Sequence, residues 1–201
     1  MKWTSRFLLL FALAATLSAS TVLSVDFNRL SLIATQVVGG EVVRMESFRD
    51  ADNGYIYTNV TMRLQQALPA RVGAAEYTFR MIGGDHEGTR VYIADMPRFE
   101  VGDDVILFLN RQPQSVLGPT VGLWQGVFYV ETDKQTGVER VVDHQRRPVL
   151  EVRGGKLVRG ARLETASSGV ALGEEASPTG LSPNGFFQQV KSLRSGSAAN
   201  R

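Results

Sequence analysis

The spacing of apolar residues changes period once near the start of the chain and then stays close to two. Over residues 26–36, DFNRLSLIATQ, the residues Phe27, Leu30, Ile33 and Ala34 recur at helical spacing, and Ser24 or Asp26 can cap that helix. From VVGGEVVRM onward the pattern alternates as a strand does. YIYTNVTMRL puts Ile56, Thr58, Val60, Met62 and Leu64 on one face and Tyr55, Tyr57, Asn59, Thr61 and Arg63 on the other. DADNG between these runs, ending in Asn53 and Gly54, predicts a turn. EYTFRMI sets Tyr77, Phe79 and Met81 on one side, and TRVYIADM, DDVILFLN, VGLWQGVFYVE and GVERVV predict four further strands. PVLEVRGGKLVRG predicts a last hairpin turning at Gly154 and Gly155. DDVILFLN is apolar on both faces, which predicts a central strand, and Gly126 within WQGVFYV predicts a bulge. One short helix followed by about six to eight strands argues for a small barrel or sandwich.

The two ends of the chain read differently. Residues 1–20, MKWTSRFLLLFALAATLSAS, carry Lys2 and Arg6, an unbroken apolar run from Phe7 to Ala15, and then Ser18, Ala19 and Ser20. This order predicts a cleavable export signal, because the apolar run is about half the roughly 20 residues a membrane crossing needs. From Glu164 the sequence ETASSGVALGEEASPTGLSPNG holds little that could form a core, so residues 164–185 read as a flexible linker. Residues 186–201 read as a short helix and tail, with Phe186 or Phe187, Val190 and Leu193 giving one apolar face. The division expected is therefore a signal over 1–20, a β domain over 21–163, the linker, and the C-terminal helix.

Charge and cysteine content narrow the function. The 22 Lys and Arg exceed the 20 Asp and Glu by two, and loss of Lys2 and Arg6 with the signal leaves 20 against 20. Between residues 21 and 150 there are 13 basic and 16 acidic residues with no basic run, which argues against a nucleic-acid partner. The absence of cysteine removes disulfides, thiolate metal sites and a cysteine nucleophile, and an exported chain without disulfides fits a bacterial envelope, periplasmic or extracellular. After signal removal no stable membrane span is expected.

The stretch most like chemistry is MIGGDHEG, residues 81–88, which holds Asp85, His86 and Glu87. A zinc-binding His-Glu helix needs a second His four residues after the first, and that position is Arg90. A phosphate loop needs a Lys, and there is none. Gly83 and Gly84 more simply turn the chain between FRMI and VYIA. DADNG, with Asp50 and Asp52, opens like a calcium loop but lacks the closing Glu, so it too reads as a turn. His144, in DHQRRP, has no recognisable nucleophile partner. No catalytic residue, metal site or cofactor is assigned. Asp50, Asp52, Asp85, His86 and Glu87 stand as candidates for binding, through loops 47–54 and 83–88.

The helix leading into ATQVVGGEV, then YIYTNVTMRLQQAL, IGGDHEG, MPRFEVGDDVILFLN and VGLWQGVFYV, resembles a family of uncharacterised exported bacterial proteins over residues 26–143. More distantly, the order of helix, Val-Val-x-Gly-x-Val strand and Tyr-Thr-x-Val strand is similar to netrin-like and tissue-inhibitor-of-metalloproteinase domains. That resemblance implies a mainly β fold: a small OB-like barrel, closed or partly open, preceded by a short helix and followed by a flexible C-terminal tail. The inhibitors of that group chelate the protease zinc through an N-terminal cysteine, which this chain lacks. The function expected is a non-catalytic binding module whose partner is another envelope protein or an extended polymer. The alternatives are a protease inhibitor acting without cysteine, and a hydrolase using Asp85 and Glu87 with Asp103 or Asp104.

Overall fold

Asp26 starts the first helix. Its Oδ1 accepts the Arg29 N–H at 2.7 Å, and the helix α1 runs Phe27–Ile33. The structure, a computed structural model, describes residues 24–70, 75–110, 118–134, 136–162 and 180–198, so the predicted signal and most of the predicted linker lie outside the described residues. Phe27 and Leu30 are buried, whereas Ile33 is exposed, because the helix ends there and Ala34 takes the inward place.

Ten strands follow in chain order: β1 Gln36–Arg49, β2 Ile56–Leu68, β3 Glu76–Ile82, β4 Gly84–His86, β5 Thr89–Val91, β6 Asp104–Leu109, β7 Val127–Thr132, β8 Glu139–Val142, β9 Val149–Arg153 and β10 Lys156–Arg159. The last described element is the helix α2, Pro183–Ala198. Six strands form one antiparallel sheet in the order β3-β2-β1-β6-β7-β8, while β4–β5 and β9–β10 are separate hairpins. Three consecutive strands with a fourth returning beside the first make β6-β1-β2-β3 a Greek key.

Bulges at Gly39/Gly40 and Val42/Arg44 bend β1 against β2. A Cβ on Gly40 would lie 2.0 Å from the Arg63 carbonyl oxygen, and one on Gly39 would lie 2.9 Å from the Phe187 ring. The two glycines thus let β2 approach and seat an aromatic ring of α2. Burial is two-sided. On one face α1, α2 and the β9–β10 hairpin cover Val37, Ile106, Phe108, Phe128 and Val141, with Phe27, Phe108, Phe128 and Phe186 in mutual ring contact at 4.9–6.3 Å. On the other, Val42, Val60, Met62, Phe79, Leu107 and Val127 pack beneath the segment that carries Phe99. β6 is the central strand its sequence predicts, buried on both sides.

The sheet is open. β3 and β8 are its edges and do not pair, so the closed form of the expected barrel is not formed. The outer side of β8 is already occupied: Val141 N–H donates to the Leu181 carbonyl at 2.8 Å, Asp143 N–H to the Arg147 carbonyl at 2.9 Å, and Val142 bridges Pro148. Two predicted strands are also shorter than expected. TRVYIADM stays extended only to Val91; Asp95 adopts φ 60°, Pro97 follows, and residues 92–103 cross the sheet without a ladder. VGLWQGVFYVE begins with a 3-10 turn, Leu123–Gly126, entered through left-handed Gly122 and Leu123, so Gly126 ends that turn instead of forming a bulge within a strand.

The helix α2 begins at Pro183, three residues before the start expected from sequence, and residues 180–182 join it to β8 and β9 through Leu181. Phe186, Phe187 and Val190 are buried in the core. Arg194 then donates to the Ser31 and Ala34 carbonyls at 2.8 Å each and to that of Leu68 at 3.3 Å, satisfying C-terminal carbonyls of α1.

Candidate functional site

MIGGDHEG is built as a corner and a hairpin. Gly83 (φ 96°) and Gly84 (φ 138°) turn the chain out of β3 into β4, and the tight turn between β4 and β5 falls at Glu87 (φ 48°) and Gly88 (φ 75°), one step later than the glycine pair suggests. The backbone fits closely at the corner. Gly83 N–H donates to the Ile56 carbonyl at 2.7 Å, and Thr58 Oγ1 donates to the Gly83 carbonyl at 2.7 Å while paired with Ser47 Oγ at 2.9 Å. A Cβ on Gly84 would meet Thr58 Oγ1 at 2.2 Å and Ser47 Oγ at 2.4 Å.

The acidic candidates do not converge. Asp85 is exposed and held by Arg90 through two contacts of 2.9 and 3.0 Å. Glu87 is fully in solvent, 4.0 Å from the His86 ring nitrogen. Asp50 folds its own turn, accepting the N–H groups of Asp52 and Asn53, and lies 3.6 Å from Arg80; Asp52 is exposed. Asp103 accepts the Glu100 N–H at 2.8 Å. Asp104 lines a different cavity, beside Glu139 and Gln65, where burial and then the neighbouring Glu41 and Glu139 raise its pKa. Among the described residues no three His, Asp or Glu side chains are grouped to hold a metal ion.

Of the two candidate loops, Ser47, Gly83, Gly84 and Asp85 line a groove of about 390 Å³, whereas Asp50, Asp52, His86 and Glu87 lie outside its lining. Its lining includes Met45, Val60 and Met81 from the sheet and Tyr92, Met96 and Phe99 from the crossing segment. The segment is fixed from beneath by Tyr129, whose hydroxyl donates to the Arg98 carbonyl at 2.7 Å; burial, more than the nearby Asp103, pushes that hydroxyl up to about 12. Tyr92 is 56% exposed, with the Arg98 guanidinium 4.9 Å and that of Arg90 6.0 Å from its ring centre. The groove is thus apolar and thioether-rich at its floor, with Asp85, Arg98 and Glu100 as the charged residues of its lining. Sequence reasoning missed Tyr92, Met96 and Phe99 as site residues because it placed Tyr92 and Met96 in a strand. The signal that could have found them is Met-Pro-Arg-Phe: a proline after an apolar residue, outside any alternating run.

The molecule is a mainly β protein with one open Greek-key sheet, helices on one face and an apolar groove on the other. No helix among the described residues is long and apolar enough to cross a membrane. Comparison with known proteins finds no matching family model, no matching curated protein and no matching solved structure.

Proposed function

We propose that this chain is an exported, non-catalytic binding module of the bacterial envelope or secreted fraction, built on a partly open OB-type barrel, which holds a segment of another protein by an apolar anchor residue. The Greek key and the sheet edges that do not pair with each other support the OB-type reading, since such barrels are small, Greek-key and often partly open, while the sixth strand of the sheet departs from their five. The observation that carries the functional reading is the groove lined by Met45, Met81 and Met96 beside an exposed tyrosine. Methionine side chains adapt to differently shaped apolar partners, and a cavity of this size takes one or two side chains. A saccharide polymer fits less well. It needs free polar groups at the floor, and here the Ser47 and Thr58 hydroxyls are engaged with each other and with the Gly83 carbonyl. The dispersed carboxylates likewise support binding over hydrolysis, because a carboxylate pair acting as acid and base must face one substrate.

Selection of the purified protein against a peptide library and, separately, against a glycan array tests this. The expected outcome is a set of peptides sharing one bulky apolar residue, with affinity reduced about tenfold or more in Met96→Glu, since a charge at the floor of an apolar groove is costly to desolvate. Enrichment of glycans alone, or of peptides indifferent to Met96→Glu, refutes it.

A further inference from the structure

A second cavity, of about 440 Å³, lies on the helix side of the sheet, between the start of α1, the 3-10 turn, the β8–β9 loop and β10. Asp143, its side chain 3% exposed, organises one wall. Burial favours its protonated form, yet hydrogen bonds from the Arg147 side chain and from the Arg147 and Gln145 N–H groups outweigh that and hold the carboxyl below its ordinary range. Its Oδ2 receives Arg147 Nε and Nη2 at 3.0 and 2.7 Å and Arg159 Nε at 2.9 Å. One buried carboxylate therefore holds two guanidiniums side by side. Both remain about a third exposed, with Nη groups not used on Asp143.

The charges lining the cavity are Asp26 and Asp143 against Arg147, Lys156 and Arg159. Asp26 is committed to capping α1 and Asp143 to fixing the arginines, so the cavity keeps excess positive charge. A clamp that only tied the loop to β10 would need one cation on Asp143, not two with a lysine beside them. The remaining walls are apolar or aromatic. Trp124 and His144 meet in a tilted ring contact, centres 4.0 Å and planes 38° apart, and edges of Phe27, Leu30 and Leu157 complete the lining. Burial, offset in part by Asp143 and reinforced by the arginines, keeps His144 below its ordinary pKa and hence a neutral ring at pH 7.

We infer that this cavity is a binding site for a small amphiphilic organic anion, its carboxylate or phosphate head on Arg147, Arg159 and Lys156 and its apolar body against the Trp124–His144 pair. Planar guanidiniums fixed by a shared carboxylate are preorganised for an oxyanion, and the half-open apolar walls take a short hydrocarbon or ring.

Of the two tryptophans, Trp3 lies in the predicted signal, so indole emission of the processed protein reports on this site through Trp124. Octanoate, octyl phosphate and the neutral 1-octanol are titrated into the purified protein. Both anions are expected to change the emission saturably and octanol is not, the tighter anion naming the preferred head group. Trp124→Phe is expected to abolish the change. Arg159→Gln and the exposed Lys156→Gln are each expected to weaken anion binding about tenfold, the scale of one charge-assisted contact. Octanol binding as well as octanoate, no saturable change with either anion, a change that survives Trp124→Phe, or wild-type affinity in both charge variants overturns the inference; the last leaves the arginine pair as a fastening for the loop alone.

Discussion

The chain has two histidines, and each follows an aspartate: Asp85-His86 on the β4–β5 hairpin and Asp143-His144 after β8. The two dipeptides share a formula and have opposite settings. Asp85 is about half exposed and meets one exposed arginine in a two-stranded hairpin. Asp143 is almost fully enclosed, receives two guanidiniums and two backbone N–H groups, and adjoins a histidine in tilted ring contact with a tryptophan. The difference comes from what each dipeptide is attached to. A two-residue turn pushes the first pair out into water, whereas the second leaves a strand buried at Val141 and Val142 and is covered by β10 and the 3-10 turn. Electrostatic interactions strengthen as water is excluded, so the same side chains have little effect in one place and a large one in the other.

On the hairpin the backbone, not the acid, is sensitive. Gly84→Val combines a left-handed φ with a Cβ driven into Thr58 and Ser47, and is expected to cost about 3 kcal/mol in urea unfolding. Asp143→Ala is expected to cost about 2 kcal/mol, less than the roughly 3–5 of a fully enclosed pair, because both guanidiniums can turn toward water. The Asp143-His144 region also makes the protein sensitive to acid. The depressed His144 pKa means that the unfolded chain takes up that proton first. Its contribution is intact above the ordinary 6.5 and declines as pH falls toward the folded value; Asp143 acts in the same direction below 3.8. Thermal melts between pH 8 and pH 5 are expected to show a fall for the wild type that His144→Gln flattens. The smallest effects belong to the other dipeptide: Asp85→Ala and His86→Ala are each expected to lie within about 0.5 kcal/mol of wild type, and a larger loss in either would erase the contrast.

The elements whose apolar residues alternate or recur cleanly were legible in the sequence: α1 with its Asp26 cap, β1, β2 and β3, the doubly buried β6, and the β9–β10 hairpin at Gly154–Gly155. Period alone could not show that TRVYIADM leaves the sheet after Val91, because Asp95 in a left-handed conformation and Pro97 break a run whose composition still favours a strand. The open sheet was equally hidden, since Leu181 and Pro148 occupy the outer edge of β8. Both cavities are assembled from segments far apart in the chain. His144 drew attention only as a possible base, and no spacing rule brings Arg159 beside Asp143 or Trp124 beside His144.

Arg194 binds the end of α1 across 163 positions of sequence, and Phe186 sits among Phe27, Phe108 and Phe128. The aromatic core is therefore incomplete until residues 186–194 have been synthesised, whatever has already paired upstream. Contacts between such distant partners raise the contact order, which slows folding, and until α2 docks, its share of the sheet face stays uncovered.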